Sequence, residues 1–135
     1  MSDTVEMVRN VPIFAELDDD EVAWIADLAT EFQVPAGSVV LEHGQPGSGM
    51  VIVTEGTVTV ELPQGPVELG PGEFAGELPL LDDRITRVAR VRAKTPVKGL
   101  AISRMAFQEL LEREPRVAVR MLPVLARRLA EAESP

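Results

Sequence analysis

Two periodicities alternate along the chain. Val22, Ile25, Leu28 and Ala29 recur at helical spacing, and Asp18 followed by Glu21 forms a capping-box signature ahead of them, which predicts a helix over 18–30. Pro35-Ala36-Gly37 breaks that pattern. From there to about residue 102 the apolar residues fall in short runs: Ser38–Glu42, Met50–Thr54, Thr57–Leu62, Val67–Leu69, Val88–Ala93 and Val97–Ile102. Turn-forming stretches such as Gly44-Gln45-Pro46-Gly47, Pro63-Gln64-Gly65-Pro66 and Gly70-Pro71-Gly72 separate them. Thr57–Leu62 alternates strictly, as a half-buried strand does. Helical spacing returns after Ser103, a suitable N-cap, with Phe107, Leu110 and Leu111 on one face. Pro115 suits the first turn of a last helix, whose stripe is Val117, Met121, Val124, Leu125 and Leu129. Pro123 within it removes one hydrogen bond and predicts a kink. The pattern predicts a mainly β protein with flanking helices: helix 18–30, a small antiparallel barrel or jelly roll over about 31–102, and helices over about 103–133.

Composition narrows the chemistry. The 135 residues fit a single domain, and 45% apolar with 26% charged residues is an ordinary globular balance. The chain has no cysteine, which excludes disulfides and thiolate sites, and its one histidine, His43, argues against a transition-metal centre. No apolar run approaches the ~18–20 residues of a membrane span, and no signal-peptide pattern opens the chain, so a cytoplasmic protein without membrane contact is expected. A net charge of −9 argues against nucleic acid as a partner. That charge is unevenly placed. Residues 1–83 hold 17 acids and one base, Arg9, whereas six bases fall within residues 84–98 alone. They read either as a solvated strand balancing nearby acids or as an anion site.

Strand phase separates those bases. If residues 87–93 are extended, Ala89, Val91 and Ala93 share one face and Val88, Arg90 and Arg92 the other, and Arg87 falls on the apolar face. A guanidinium placed inward requires a negative partner, because stranding its charge costs several kcal/mol. That partner is either an internal carboxylate, Glu77 or Glu73, or a bound phosphate gripped bidentately. Upstream, Gly76 permits close backbone approach. Leu78–Leu81 is long enough for one helical turn whose unpaired amides attract an anion.

These residues carry a resemblance. Gly76-Glu77-Leu78 followed by Arg87-Val88-Ala89-Arg90-Val91 resembles the phosphate-binding cassette of the cyclic-nucleotide-binding domain family, the type found in catabolite activator protein and protein kinase A regulatory subunits. Val11-Pro12-Ile13-Phe14, Glu55-Gly56-Thr57-Val58, Leu69-Gly70-Pro71-Gly72-Glu73-Phe74 and Ala126-Arg127-Arg128-Leu129 resemble its other markers, so the likeness covers roughly residues 8–133. It implies an eight-stranded antiparallel β-roll (a double-stranded β-helix of jelly-roll type) with an N-terminal helix and two C-terminal helices. It implies cAMP, with cGMP second, as ligand. Arg87 would grip the phosphate and Glu77 would accept from the ribose 2′-hydroxyl. Gly76, Leu78 and Val88 would offer backbone contacts, Val60 and Val67 would line the base pocket, and Arg128 would reach the ligand or a partner protomer. Val88 stands where the family often has a hydroxyl or alanine, which favours cAMP. Ala132 and Glu133 stand where bacterial regulators place hydroxyls against the adenine. The implied protein is a stand-alone bacterial-type regulatory receptor. It would signal to a separate effector by helix repositioning, with its C-terminal helix available for a homodimer.

Other readings are weaker. An enzyme of the cupin type needs a histidine cluster that one His43 cannot supply, so no enzymatic activity and no cofactor are expected. Asp18-Asp19-Asp20-Glu21 reads as helix capping before it reads as a cation site. Trp24 reads as helix packing. The serious rival is a binding-incompetent member of the same fold acting as a protein-interaction module, with Glu77 and Arg87 satisfying each other or nearby acids.

Overall fold

The computed structural model describes residues 3–42, 44, 49–82, 84–85 and 89–133. Its strands are β1 (Thr30–Val34), β2 (Val39–Leu41), β3 (Gly49–Glu55), β4 (Val58–Leu62), β5 (Gly65–Leu69), β6 (Phe74–Ala75), β7 (Arg90–Ala93) and β8 (Val97–Ser103). They form two four-stranded antiparallel sheets, one in the order β1-β8-β3-β6 and the other β2-β7-β4-β5. Strand β3 explains the layering. Its side chains alternate between two apolar environments: Met50 and Ile52 join the helices, while Val51 and Val53 face the second sheet. A strand covered on both faces needs an unbroken apolar run, and Met50–Val53 supplies one. On β7 only one face is covered, so Val91 and Ala93 are buried while Arg90 and Arg92 are half-exposed.

Helices α1 (Asp3–Arg9), α2 (Asp19–Leu28), α4 (Arg104–Arg113) and α5 (Pro115–Glu133), with a 3₁₀ turn at Pro12–Phe14, supply the apolar side chains that meet the first sheet. The largest fully buried members include Phe14, Ile25, Phe74, Leu100, Phe107 and Met121. The short helix α3 (Leu78–Leu81) lies in the cassette. The eight-stranded antiparallel roll with flanking helices is therefore present, with differences from expectation in detail. The helix predicted over 18–30 ends at Leu28, because Ala29 is extended and Thr30 already pairs with Ala101 in β1. Helix α1 and the 3₁₀ turn add to the single N-terminal helix expected. The strand predicted from Val88 begins at Arg90.

The capping signals hold. Glu21 N–H donates to Asp18 Oδ1 at 2.9 Å and Asp18 N–H to Glu21 Oε1 at 2.9 Å. Ser103 Oγ accepts from Ala106 N–H at 3.2 Å and starts α4. Helix α5 continues through Pro123 as one element. The carbonyl that loses its donor belongs to Val119, 64% exposed, where water can satisfy it. At the α4–α5 elbow, Arg116 Nη2 donates to both Glu21 Oε2 (2.5 Å) and Glu114 Oε2 (3.1 Å). Among the described residues no helix is long and apolar enough to cross a membrane, and no cluster of His, Asp or Glu could hold a metal ion.

Candidate ligand site between the cassette and the last helix

The cassette follows from one backbone requirement. The chain leaves β6 and must turn at once into α3, and Gly76 makes that turn at φ +88, a conformation open to glycine at no steric cost. Leu80 and Leu81 N–H both donate to Glu77 O, and Pro79 sits in the first turn, where its missing N–H removes no helical bond. Leu80 is buried, which seats the turn on the core. Arg104 Nη2, at the start of α4, donates to Pro79 O at 2.7 Å and ties the cassette helix to the C-terminal pair.

This turn drives Glu77 inward. Its side chain is one of two buried charged groups among the described residues, 4% exposed. Arg128, reaching across from α5, meets it at 2.8 Å between Nη1 and Oε1. The same guanidinium donates through Nη2 to Phe74 O at 2.5 Å and lies 4.6 Å from the centroid of the Phe74 ring. Three contacts of different kinds hold one group, so α5 is fixed against the cassette. Burial pushes the Glu77 carboxyl above the usual carboxylate range, while the Arg128 charge and nearby backbone N–H groups pull it down.

Beside this pair lies a cavity of about 400 Å³. The second sheet forms its floor through Leu41, Val60, Val67, Leu69 and Val91. Gly76, Glu77, Leu78 and Pro79 form one wall, and Leu125, Arg128, Leu129 and Ala132 of α5 form the cover. Six of the residues singled out in the sequence (Gly76, Glu77, Leu78, Val60, Val67 and Arg128) thus line one cavity. Arg128 reaches Glu77 and Phe74 of its own chain. Arg87 and Val88 lie outside the described residues, as does His43. Ala89 and Val91, which alternate with Arg87 in the sequence, line the cavity, whereas Arg90 and Arg92 do not.

Four of the other bases in this segment have carboxylate partners. Arg90 Nε meets Glu42 at 2.9 Å, Arg92 Nε meets Glu61 at 3.8 Å, and Lys94 pairs with Glu68. For these three the solvated-strand reading holds. Arg84 likewise pairs locally with Asp82 at 2.7 Å, and its hydrogen bonds hold the Asp82 carboxyl below the usual range. Trp24 packs on the helical core beneath Arg113, whose Cζ is 4.4 Å from the ring centroid. Lining residues missed in the sequence include Leu41, Leu62, Gln64, Leu125, Leu129 and Glu131. Leu62 shares the phase of Val60. Leu125 and Leu129, four residues apart on α5, had been read only as a core stripe.

The sequence model of the cyclic nucleotide-binding domain matches residues 31–114. A cyclic nucleotide-gated potassium channel of Mesorhizobium japonicum is 39% identical over 113 residues, which is 84% of this chain and 31% of the channel. A cAMP-dependent protein kinase regulatory subunit of Aspergillus fumigatus is 38% identical over 107 residues, 77% of this chain and 26% of the subunit. The chain thus spans a third or less of the length of these curated relatives. Among solved structures, Thermus thermophilus catabolite activator protein superposes with a TM-score of 0.75 at 33% identity, covering 90% of this chain and 60% of that one. Strand order, cassette and sequence agree: this chain belongs to the cyclic nucleotide-binding domain family.

Proposed function

We propose that this domain binds a cyclic nucleotide, cAMP in preference to cGMP, in the cavity between the cassette and α5, and that binding repositions the C-terminal helices to signal to a separate protein effector. The observation that carries this reading is the convergence of Gly76, Glu77 and Leu78 with Val60 and Val67 on one cavity of about 400 Å³, a volume suited to a small ligand. In it Arg87 grips the phosphate, and Val88 joins Gly76 and Leu78 in offering backbone contacts. Glu77 accepts from the ribose 2′-hydroxyl, with Arg128 holding that carboxylate charged. The potassium channel is described as cyclic nucleotide-gated and the kinase regulatory subunit as cAMP-dependent, which supports the ligand class. The domain acts as a regulatory module without catalysis or cofactor, in the cytoplasm, with neither nucleic acid nor membrane as partner. Val119, Leu122 and Leu129, each at least 60% exposed along α5, support a homodimer through that helix. Leu122→Glu is expected to halve the mass seen by light scattering.

Helix movement follows if the ligand binds one arrangement of α5 better than the other. The Arg128–Glu77 pair and the Arg104–Pro79 bond join cassette and helices, so a shift of α3 is felt at both ends of the C-terminal pair. A second reading, an interaction module that takes no ligand, is favoured by one observation: Glu77 already has a charged partner in Arg128. Calorimetry and thermal shift with cAMP, cGMP and 5′-AMP decide between them. Ligand at ~100 times its dissociation constant should add ~2.7 kcal/mol of stability. No response to either cyclic nucleotide at millimolar concentration would leave the interaction module.

A further inference from the structure

The two ends of the cavity differ in chemistry. At the cassette end the charged side chains among the described residues are Glu77 and Arg128, and they use each other. At the far end the β4–β5 turn approaches the last turns of α5, and the lining consists of Leu62, Gln64, Val67, Leu129, Glu131 and Ala132. Val67 is 40% exposed and Leu129 60%, so this end is a partly open apolar slot. The Gln64 carboxamide and the Glu131 carboxylate have no hydrogen-bond or ion-pair partner among the described residues. A flat apolar slot with free polar groups at its rim suits a heteroaromatic ring read along one edge.

We propose that Gln64 is the base-reading residue of this site: its carboxamide pairs with the amino edge of adenine, Oε1 accepting from N6–H and Nε2 donating to the adjacent ring nitrogen. The inference rests on the cyclic-nucleotide reading above, in which the phosphate occupies the cassette end and the base therefore falls in the slot. A carboxamide carries one acceptor and one donor side by side. Adenine matches that pair on either side of N6, through N1 or through N7, whereas the N7/O6 edge of guanine presents two acceptors, so guanine can be met only through O6 and N1–H with the carboxamide turned over. Glu131 adds a second acceptor, which suits the other amino hydrogen of adenine and opposes O6 of guanine. No hydroxyl on α5 is then needed to recognise the base, which accounts for Ala132 at the position facing it.

The test is calorimetry on the full chain and its Gln64→Ala variant with three ligands: cAMP, cGMP and purine riboside 3′,5′-cyclic phosphate, which is cAMP without the amino group. Wild type is expected to bind cAMP about tenfold tighter than the deamino compound. Gln64→Ala should lose that factor, weakening cAMP about tenfold more than the deamino compound, which has only the bond to the ring nitrogen to lose. Because Gln64 is exposed in a turn, an unchanged melting temperature confirms that the fold is intact, and Gln64→Glu, which removes the donor but keeps an acceptor for N6–H, should keep the preference while weakening both compounds. For Gln64→Ala, equal weakening of both ligands or no change in either, or a cGMP preference abolished by Glu131→Gln, would each overturn the assignment. Wild type binding none of the three would instead refute the cyclic-nucleotide reading itself, and the base-reading role with it.

Discussion

Of the places where arginine meets carboxylate in this domain, two are made unlike by solvent. On the outer face of the second sheet, Arg90 and Arg92 meet Glu42 and Glu61 with every side chain roughly 40% exposed. There water screens the charges and competes for each hydrogen bond. Inside, Arg128 meets Glu77 with the carboxylate side chain 5% exposed. Removing one member of the inner pair strands a charge, whereas removing one member of the outer set hands it back to water. Identical chemistry therefore carries stability and position in one place and little beyond solubility in the other.

The largest contrast should appear in ligand binding. In the sequence Arg87 alternates with Ala89 and Val91, which line the cavity, whereas Arg90 has the opposite parity and does not line it. Arg87→Ala is expected to weaken cAMP binding at least about 100-fold, since a charge-assisted bidentate contact to phosphate is lost. Arg90→Ala should change it less than about twofold. Equal losses in calorimetric titration would break the phase argument and the comparison with it.

The inner pair itself comes next. Arg128→Met leaves Glu77 buried with no cation and should cost about 3 kcal/mol at pH 8, measured by urea unfolding. The pH dependence has a definite sign. The folded-state carboxyl is already raised by burial, and removing Arg128 raises it further. Its protonated form therefore favours folding, a contribution present below the ordinary carboxylate range and lost as pH rises through the folded value. The variant should thus recover stability on acidification, relative to wild type, and Glu77→Gln in the same background should restore it at pH 8. A pH-independent deficit would mean that Arg128 acts through the ring and carbonyl of Phe74 and not through Glu77.

The α4–α5 elbow gives a smaller, two-sided effect. Burial and the neighbouring Glu21 push the Glu114 carboxyl up, while the Asp18 N–H bond and the contact with Glu114 pull Glu21 down, with Arg116 bridging both. Stability from Glu114 is lost as pH rises through its raised value, and stability from Glu21 is lost as pH falls through its lowered one. Glu114→Gln should therefore flatten the stability–pH curve in the window just above the ordinary carboxylate range and keep the fall below that range. A variant curve parallel to wild type throughout would remove this cluster from the account.

What the sequence made legible follows from range. Local chemistry was readable: the Asp18–Glu21 box, the Ser103 cap, the alternation of β4, and Gly76 ahead of one helical turn all depend on residues within a few positions. Strand β6, two residues long, has no period to detect, and β1, with Glu31 and Gln33 between Phe32 and Val34, directly follows a helical stripe that masks its alternation. The pairing of Glu77 with Arg128 joins the cassette to the last helix. Sequence logic offered Glu77 a ligand hydroxyl or Arg87, and only the folded arrangement of α5 supplies the third candidate. Gln64 escaped notice for a related reason: in a Pro-Gln-Gly turn it reads as loop, and its place on the cavity depends on where α5 lies.

The smallest effect tests the outer face. Arg90→Ala removes contacts to Glu42 at 2.9 Å and Glu61 at 3.9 Å. Both acids remain solvated, and Arg92 and its neighbours still hold the strand in register through β4 and β2. Glu42 raises the Arg90 pKa, which at neutral pH changes nothing because the guanidinium is charged in any case. The expected cost, after allowing for exposure, is below about 0.5 kcal/mol in urea unfolding, and it should vanish in ~1 M salt, where the screening length falls to ~3 Å. Arg128→Met should keep most of its cost in the same salt, because its carboxylate partner is shielded from ions by protein. A salt-insensitive loss at Arg90 approaching that at Arg128 would show that exposure does not separate the two sites, and the inner pair would lose its special standing as the group that fixes α5 over the cavity.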